Sequence, residues 1–304
     1  MMNKKFYWNL LKKKWWKVSN WLYLVLNNTS LFVANNNLKI IKDNIPISST
    51  RNLLYDDEYI YTIKTNKICK YSRETYELIK ESEPYWVEVY DFIIIWDNIY
   101  GTALYMSSGS TKYYTLVKFD KNNLSYVRAS PYNTTASYTS LTTDWEYLYT
   151  TFWTNIAKFN FNLSQITSIS VGLTSAPNCM VVWDYLYNIS FYNTVWYRVE
   201  RRNLGNLSLV TNTGFWSPLR HIMSTIDNYI FWASSDNNGF IKFDVNTMSV
   251  TNSVWVNYFR VWAVDNDNVY IYDNYYKIKK YSRDLEFIIE WERITTINSI
   301  NPIN

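Results

Sequence analysis

Trp96-Asp97-Asn98-Ile99-Tyr100 and, downstream of it, Val117-Lys118-Phe119-Asp120-Lys121-Asn122-Asn123-Leu124 recur in outline along the whole chain. The first piece returns as Ser19-Asn20-Trp21-Leu22-Tyr23, Asp57-Glu58-Tyr59-Ile60-Tyr61 and Trp145-Glu146-Tyr147-Leu148-Tyr149. It returns again as Asp184-Tyr185-Leu186-Tyr187, Asp227-Asn228-Tyr229-Ile230-Phe231 and Asp267-Asn268-Val269-Tyr270-Ile271. Units therefore start near 19, 57, 97, 145, 184, 227 and 267, the spacing of one propeller blade. The second piece, an apolar residue followed by Lys, an aromatic and a polar turn, reappears as Ile68-Cys69-Lys70-Tyr71-Ser72-Arg73 and Ile156-Ala157-Lys158-Phe159-Asn160. Further copies are Phe240-Ile241-Lys242-Phe243-Asp244 and Ile278-Lys279-Lys280-Tyr281-Ser282-Arg283. The fifth unit holds a degenerate copy, Tyr197-Arg198-Val199-Glu200, and the first only Leu31-Phe32-Val33-Ala34. Pro46, Pro84, Pro131, Pro177 and Pro218 read as lying between units, where a residue without an N–H belongs.

Within a unit the pattern gives four short strands, for example Val87–Ile95, Ile99–Met106, Tyr113–Phe119 and Leu124–Arg128. They are rich in Tyr, Val, Ile, Trp and Thr with period-two stretches, as half-buried strands require. The expected fold is all-β, a seven-bladed propeller of four-stranded antiparallel blades over 19–304. Residues 1–18 are a basic, aromatic extension or a closing strand. Each blade buries two faces, so the ring has to close. The tail Arg293–Ser299 reads as an innermost strand that completes the first blade beside Trp21–Leu26; the rival closure uses residues 14–18. With only 6 Gly in the chain, Asn is expected wherever turns need φ > 0, as at Asn35-Asn36-Asn37, Asn122-Asn123 and Asp236-Asn237-Asn238.

The order of these columns resembles YVTN-type and related PQQ-like propeller repeats. The stretches that carry the likeness are Trp96-Asp97-Asn98-Ile99-Tyr100 and Val117-Lys118-Phe119-Asp120-Lys121-Asn122-Asn123-Leu124, and it extends over about 19–300. The resemblance implies a scaffold found in surface-layer proteins, adhesins and some quinone enzymes. It implies no particular activity.

Composition narrows the chemistry. The chain has 304 residues, is 48% hydrophobic and 19% aromatic, and contains 29 Tyr and 15 Trp, enough to bury a sizeable core. One His and 2 Cys exclude most His/Cys metal sites and disulfide scaffolds. A net charge of +4 gives no nucleic-acid signature. The basic start Met1-Met2-Asn3-Lys4-Lys5 lacks a long apolar continuation, and Phe92–Trp96 is far too short to span a bilayer, so neither a signal peptide nor a membrane insertion is expected. Sequons at Asn27, Asn28, Asn123, Asn133, Asn162, Asn188 and Asn206 arise by chance in so Asn-, Ser- and Thr-rich a chain. Cys69 and Cys179 are expected as two buried free thiols.

No G-x-S-x-G, Walker loop or dinucleotide fingerprint is present. His221, in an innermost strand, reads as a hydrogen-bonded structural residue ahead of a general base. Glu88 and Asp91 are the pair that glycoside hydrolysis would use. Asp97, Asp184, Asp227 and Asp267 recur once per unit and so read as turn caps. Asp265-Asn266-Asp267-Asn268 lacks the Gly and distal Glu of a calcium loop. No catalytic residue, metal or cofactor is assigned. The Lys column reads as solvated blade edges with snorkelling stems.

Exposed rings remain as the recognition chemistry. Tyr85, Trp86, Tyr132, Trp153, Phe215, Trp216, Trp255 and Tyr258 fall in loops that strand polarity places on one face, and Trp and Tyr suit protein hot spots or sugar stacking. The leading expectation is a non-enzymatic interaction module, a virion or cell-surface component that binds a partner protein or surface through one face, as part of a homo- or hetero-oligomeric assembly. A lectin-like propeller is the alternative, and a glycoside-processing enzyme a more distant third.

Overall fold

The computed structural model describes residues 21–26, 30–35, 40–46, 53–64, 66–84, 87–106, 112–132, 138–152, 154–171, 175–191, 197–215, 224–233, 239–256, 259–264, 267–273, 277–291 and 297–303. The chain is a β-propeller of four-stranded antiparallel sheets. It divides into two units, 47–258 and 1–46 with 259–304.

The first unit holds five such sheets, spanning 53–81, 87–129, 138–170, 175–215 and 224–255. In each, strands pair in chain order from first to fourth. Apolar clusters join each sheet to the next: Tyr61 and Ile68 with Phe92 and Ile99, Tyr100 and Leu116 with Leu141 and Leu148, Tyr149 and Ile156 with Cys179 and Leu186, and Tyr187 and Val199 with Ile230 and Trp232. Alternating side chains supply both faces of a sheet, so each of the three inner sheets contributes to two clusters. Gly101 serves a close approach: a Cβ there would meet Val89 Cγ1 at 2.9 Å, beside the bulge between Val89 and Asp91.

The second unit holds the 259–291 sheet and a sheet in which Ile297–Ile303 pairs with Trp21–Leu26, followed by Ser30–Asn35 and Ile40–Ile45. The C-terminal strand thus takes the first-strand position beside Trp21–Leu26, over Ile297–Ile303; residues 293–296 of the expected strand lie outside the described residues. The rival closing segment 14–18 lies outside the described residues.

Three sequence expectations are corrected. Pro177 lies inside the first strand Ser175–Val182 rather than between units. That strand is a sheet edge, and its register breaks between Ser175 and Asn178, where a missing N–H is tolerated. The fifth copy of the Lys column is Val199-Glu200-Arg201-Arg202-Asn203, not Tyr197–Glu200. A register shift follows the column cation in every sheet that carries one, as between Lys118 and Phe119 and between Lys158 and Phe159, and here it falls between Arg201 and Arg202.

The third concerns turns. Among the described residues no Asn has φ > 0; Tyr76, Leu124, Leu163, Leu207, Met248 and Leu285 do. Leu285 sits three residues after the end of the third strand and the others four, where burial of the side chain outweighs the cost of the left-handed conformation: Leu124, Leu163 and Leu207 are fully buried. Asn and Asp act instead as acceptors at the start of the same turn. Asp120 Oδ1 accepts from Asn122 and Asn123 N–H, Asn160 Oδ1 from Asn162 and Ser164, and Asp244 Oδ1 from Asn246 and Thr247.

Candidate functional site

Several cations of the five-sheet unit are held at the seams between sheets. Lys70, Lys158 and Lys242 are buried rather than solvated, which corrects the reading of the Lys column. Each ammonium lies over a tyrosine ring of the same sheet: Lys70 over Tyr59 at 3.8 Å, Lys158 over Tyr147 at 3.7 Å and Lys242 over Tyr229 at 4.0 Å. Lys118 and Arg201 repeat this with Tyr100 and Tyr185 at 5.4 and 4.8 Å. The cation also donates to a turn carbonyl of the following sheet, Lys118 to Phe161 O at 3.4 Å, Lys158 to Leu204 O at 2.9 Å and Arg201 to Val245 O at 3.4 Å. A tyrosine hydroxyl reaches the same carbonyls from Tyr100, Tyr149 and Tyr187. Ring quadrupole and carbonyl replace the water lost on burial. Burial still lowers the pKa of Lys70 and Lys118 from the ordinary lysine value.

Carboxylates cap turns, cross a seam or are buried within one sheet. Asp56 Oδ1 accepts from Glu58 and Tyr59 N–H, and its Oδ2 pairs with Lys121 of the next sheet at 3.1 Å. Burial raises its pKa, but those N–H groups and the Lys121 ammonium together hold it below the usual value. Asp144 repeats the cap on Glu146 and Tyr147. The cap oxygens seen in these turns therefore belong to Asp56 and Asp144. Asp91 Oδ2 accepts from Leu141 N–H in the next sheet at 3.1 Å, while Glu88 is exposed. Glu200 is wholly buried between Arg198 and Arg202, with Asn188 donating to it at 3.0 Å. Among the described residues, no group of three or more His, Cys, Asp or Glu is placed to hold a metal. His221, Asp265 and Asn266 lie outside the described residues.

Of the predicted rings, Tyr132 and Trp255 are exposed at 58% and 65%. Tyr132 packs its ring 5.7 Å from Tyr113. It borders an open groove of about 680 Å³ lined by Tyr126, Arg128, Pro131 and, from the next sheet, Leu163 and Gln165. Trp255 ends the fourth strand of the 224–255 sheet and borders no part of that groove. Phe215 ends the fourth strand of the 175–215 sheet. Tyr85, Trp86, Trp153, Trp216 and Tyr258 lie outside the described residues.

A different set of rings recurs at one position of successive sheets. Trp96, Trp145 and Trp183 occupy the turn between first and second strands in three successive sheets, exposed at 56%, 37% and 44%. All three have φ > 0, at 51°, 69° and 55°. Asp227 holds the equivalent position in the next sheet at φ 50°, so the turn itself does not require an indole. A bulky residue in this conformation is a local cost that the turn geometry leaves unexplained. Two of the rings are fixed from the following sheet: Trp96 packs edge-on to Phe161 at 5.1 Å, and Trp183 Nε1 donates to Asn228 Oδ1 at 2.8 Å. An exposed carboxylate follows each ring, Asp97, Glu146 and Asp184. The signal is present in the sequence as Trp96-Asp97, Trp145-Glu146 and Trp183-Asp184, of which the repeat reading takes in the first two and only Asp184 of the third.

No family model matches the chain, and no curated relative matches it. Solved structures do. The computationally designed Ika8 protein is similar with a TM-score of 0.66 at 10% identity, over 92% of this chain and 86% of that one. Apo AztD from Citrobacter koseri gives 0.65 at 11%, over 92% and 96%. Hydrazine synthase from Kuenenia stuttgartiensis gives 0.65 at 10%, over 80% and 86%. At such identities the likeness is one of fold, and the fold is the β-propeller.

Proposed function

We propose that this chain is a non-enzymatic interaction module, a propeller of seven blades closed into one ring, that docks a partner protein on a virion or cell surface through one face. The observation that carries the reading is the arc of Trp96, Trp145 and Trp183. These rings are exposed and held in a costly backbone conformation, whereas the recurring Lys side chains lie over tyrosine rings and Asp120, Asp144 and Asp244 cap turns. Rigid aromatic rings lose little conformational freedom on contact and dominate binding energy at interfaces. A sparsely charged, Asn- and Tyr-rich chain suits a packed surface assembly. Glycan stacking on the same rings is the second reading, favoured by the carboxylate beside each indole, which can accept from sugar hydroxyls.

The test uses a substitution the fold already accepts. Trp96→Asp, Trp145→Asp and Trp183→Asp, combined, place at these turns the residue found at Asp227. Peptide and glycan arrays are probed with both proteins. Peptide binding lost in the triple variant, with an unchanged melting profile, supports the proposal. Glycan binding lost in its place supports the lectin reading. Turnover of any glycoside that Glu88→Gln abolishes overturns both.

A further inference from the structure

The five fourth strands of the 47–258 unit differ in how they protect their free edges. Leu78–Glu81 and Tyr126–Ala129 are four residues long and carry Lys80, Glu81 and Arg128. Short edges and charges are the usual defences against pairing with another chain. Gln165–Ser170, Leu209–Phe215 and Ser249–Trp255 are six, seven and seven residues long and hold no charge. Leu209 and Val210 are adjacent aliphatics exposed at 44% and 45%.

These long edges share a second property. Each is close to a chemical palindrome about its centre. About Asn212, Leu209-Val210-Thr211-Asn212-Thr213-Gly214-Phe215 sets Thr211 against Thr213 and Leu209 against Phe215. A strand laid antiparallel on its own copy across a two-fold axis pairs residues in this way, so Thr meets Thr, Leu209 meets Phe215, Val210 meets Gly214 and no charge is opposed to another. The charged edges fail the same operation: Leu78-Ile79-Lys80-Glu81 would set Glu81 against Leu78, and Tyr126-Val127-Arg128-Ala129 would set Arg128 against Val127. In Ser249–Trp255 the Asn252 side chain already accepts from Ser253 N–H at 2.8 Å, and in Gln165–Ser170 the Gln165 amide bonds Ser168 Oγ. Leu209–Phe215 is therefore the edge best suited to pairing. Its ladder to the third strand is regular from Thr211 to Phe215, and the bulge leaves Val210 unopposed there.

We propose that Leu209–Phe215 is a homodimerisation edge that pairs antiparallel with the same strand of a second copy, with Asn212 on the two-fold axis. The paired register joins two sheets into one continuous sheet, with ladder hydrogen bonds supplying affinity and the palindrome fixing alignment. This surface is separate from the tryptophan arc, so either can fail alone.

The register makes the test sharp, because only a residue on the axis faces itself. Cys69 and Cys179 are buried, so an added surface thiol is read without interference. Asn212→Cys is expected to form a disulfide-linked dimer at least about ten-fold faster than Thr211→Cys or Asn252→Cys, through the high local thiol concentration at the axis. Val210→Lys is expected to turn a concentration-dependent dimer, measured by sedimentation equilibrium, into a monomer with unchanged circular dichroism. A wild-type chain that stays monomeric to about millimolar concentration, where specific dimers are populated, overturns the proposal. So does equal cross-linking at the three positions, or a dimer that Val210→Lys leaves intact.

Discussion

The 138–170 and 175–215 sheets are neighbours built on one plan, and they fill the same buried positions with opposite chemistry. Counting back from the turn residues Asn160 and Asn203, Ala157 and Phe159 in one correspond to Glu200 and Arg202 in the other. Across the ladder, Thr150 faces Ala157 and Asn188 faces Glu200. The first set is a small apolar residue, an aromatic and a hydroxyl that bonds Ser140 O at 2.6 Å. The second is a network in which Arg202 meets Glu200, Asn188 Oδ1 and Leu207 O. The backbone scheme is indifferent to the change so long as each buried group is satisfied. What the repeat conserves is position in the ladder rather than residue type.

That comparison breaks most visibly at Glu200. Glu200→Ala leaves Arg202 buried without its partner and is expected to cost about 3–5 kcal/mol, measured by urea denaturation. The triple variant Asn188→Thr, Glu200→Ala, Arg202→Phe transplants the neighbour's solution and should recover most of that loss, a strongly non-additive result. Equal losses in the single and triple variants would mean that the two sheets are not interchangeable at this seam.

This pair of sheets also shows what was legible in the sequence. Period-two apolar runs, tied to the surviving Lys-aromatic and Asp columns, placed four strands in the unit from 87 onward close to where they lie. The 199–203 copy was misaligned because its aromatic had become arginine, and a charge in a strand reads as solvent-facing until its partner is found. The same habit hid the lysines. Each lies over an aromatic at the start of the second strand, as Lys158 over Tyr147, a contact that becomes visible only once those strands are paired. The tryptophan arc was written in the sequence but absorbed into the repeat, since spacing shows recurrence and cannot show a costly φ.

The next effect concerns the left-handed positions. Leu163 and Leu207 have φ of 58° and 61° and are fully buried. Leu163→Ala loses the burial and keeps the backbone cost, for about 2–5 kcal/mol. Leu163→Gly loses the same burial but removes the backbone cost, so it should be the more stable of the two by about 1 kcal/mol, the reverse of the usual Ala-over-Gly order. At Trp145, 37% exposed with φ 69°, Trp145→Gly removes the backbone cost of about 1 kcal/mol while giving up the covered part of the indole, so it should cost less than Leu163→Gly. A large loss there would assign the indole to the core rather than to a partner.

The smallest effect lies at the seam the two sheets share. Cys179 is buried, its N–H donates to Ser140 Oγ at 3.1 Å, and burial pushes its thiol up to about 12 from an ordinary 9.0. The neutral thiol is thus favoured in the folded chain, so its contribution to stability is complete below pH 9.0 and falls away as pH rises toward about 12. Cys179→Ala should flatten the alkaline limb of a stability–pH curve over that interval and leave neutral stability altered only by the lost packing. At pH 8 iodoacetamide should modify native Cys179 only through opening of the chain, with a rate that rises in urea in step with unfolding. Modification that outpaces unfolding would mean the seam between the 138–170 and 175–215 sheets opens on its own, and the two solutions to burial would then differ in local stability as well as in chemistry.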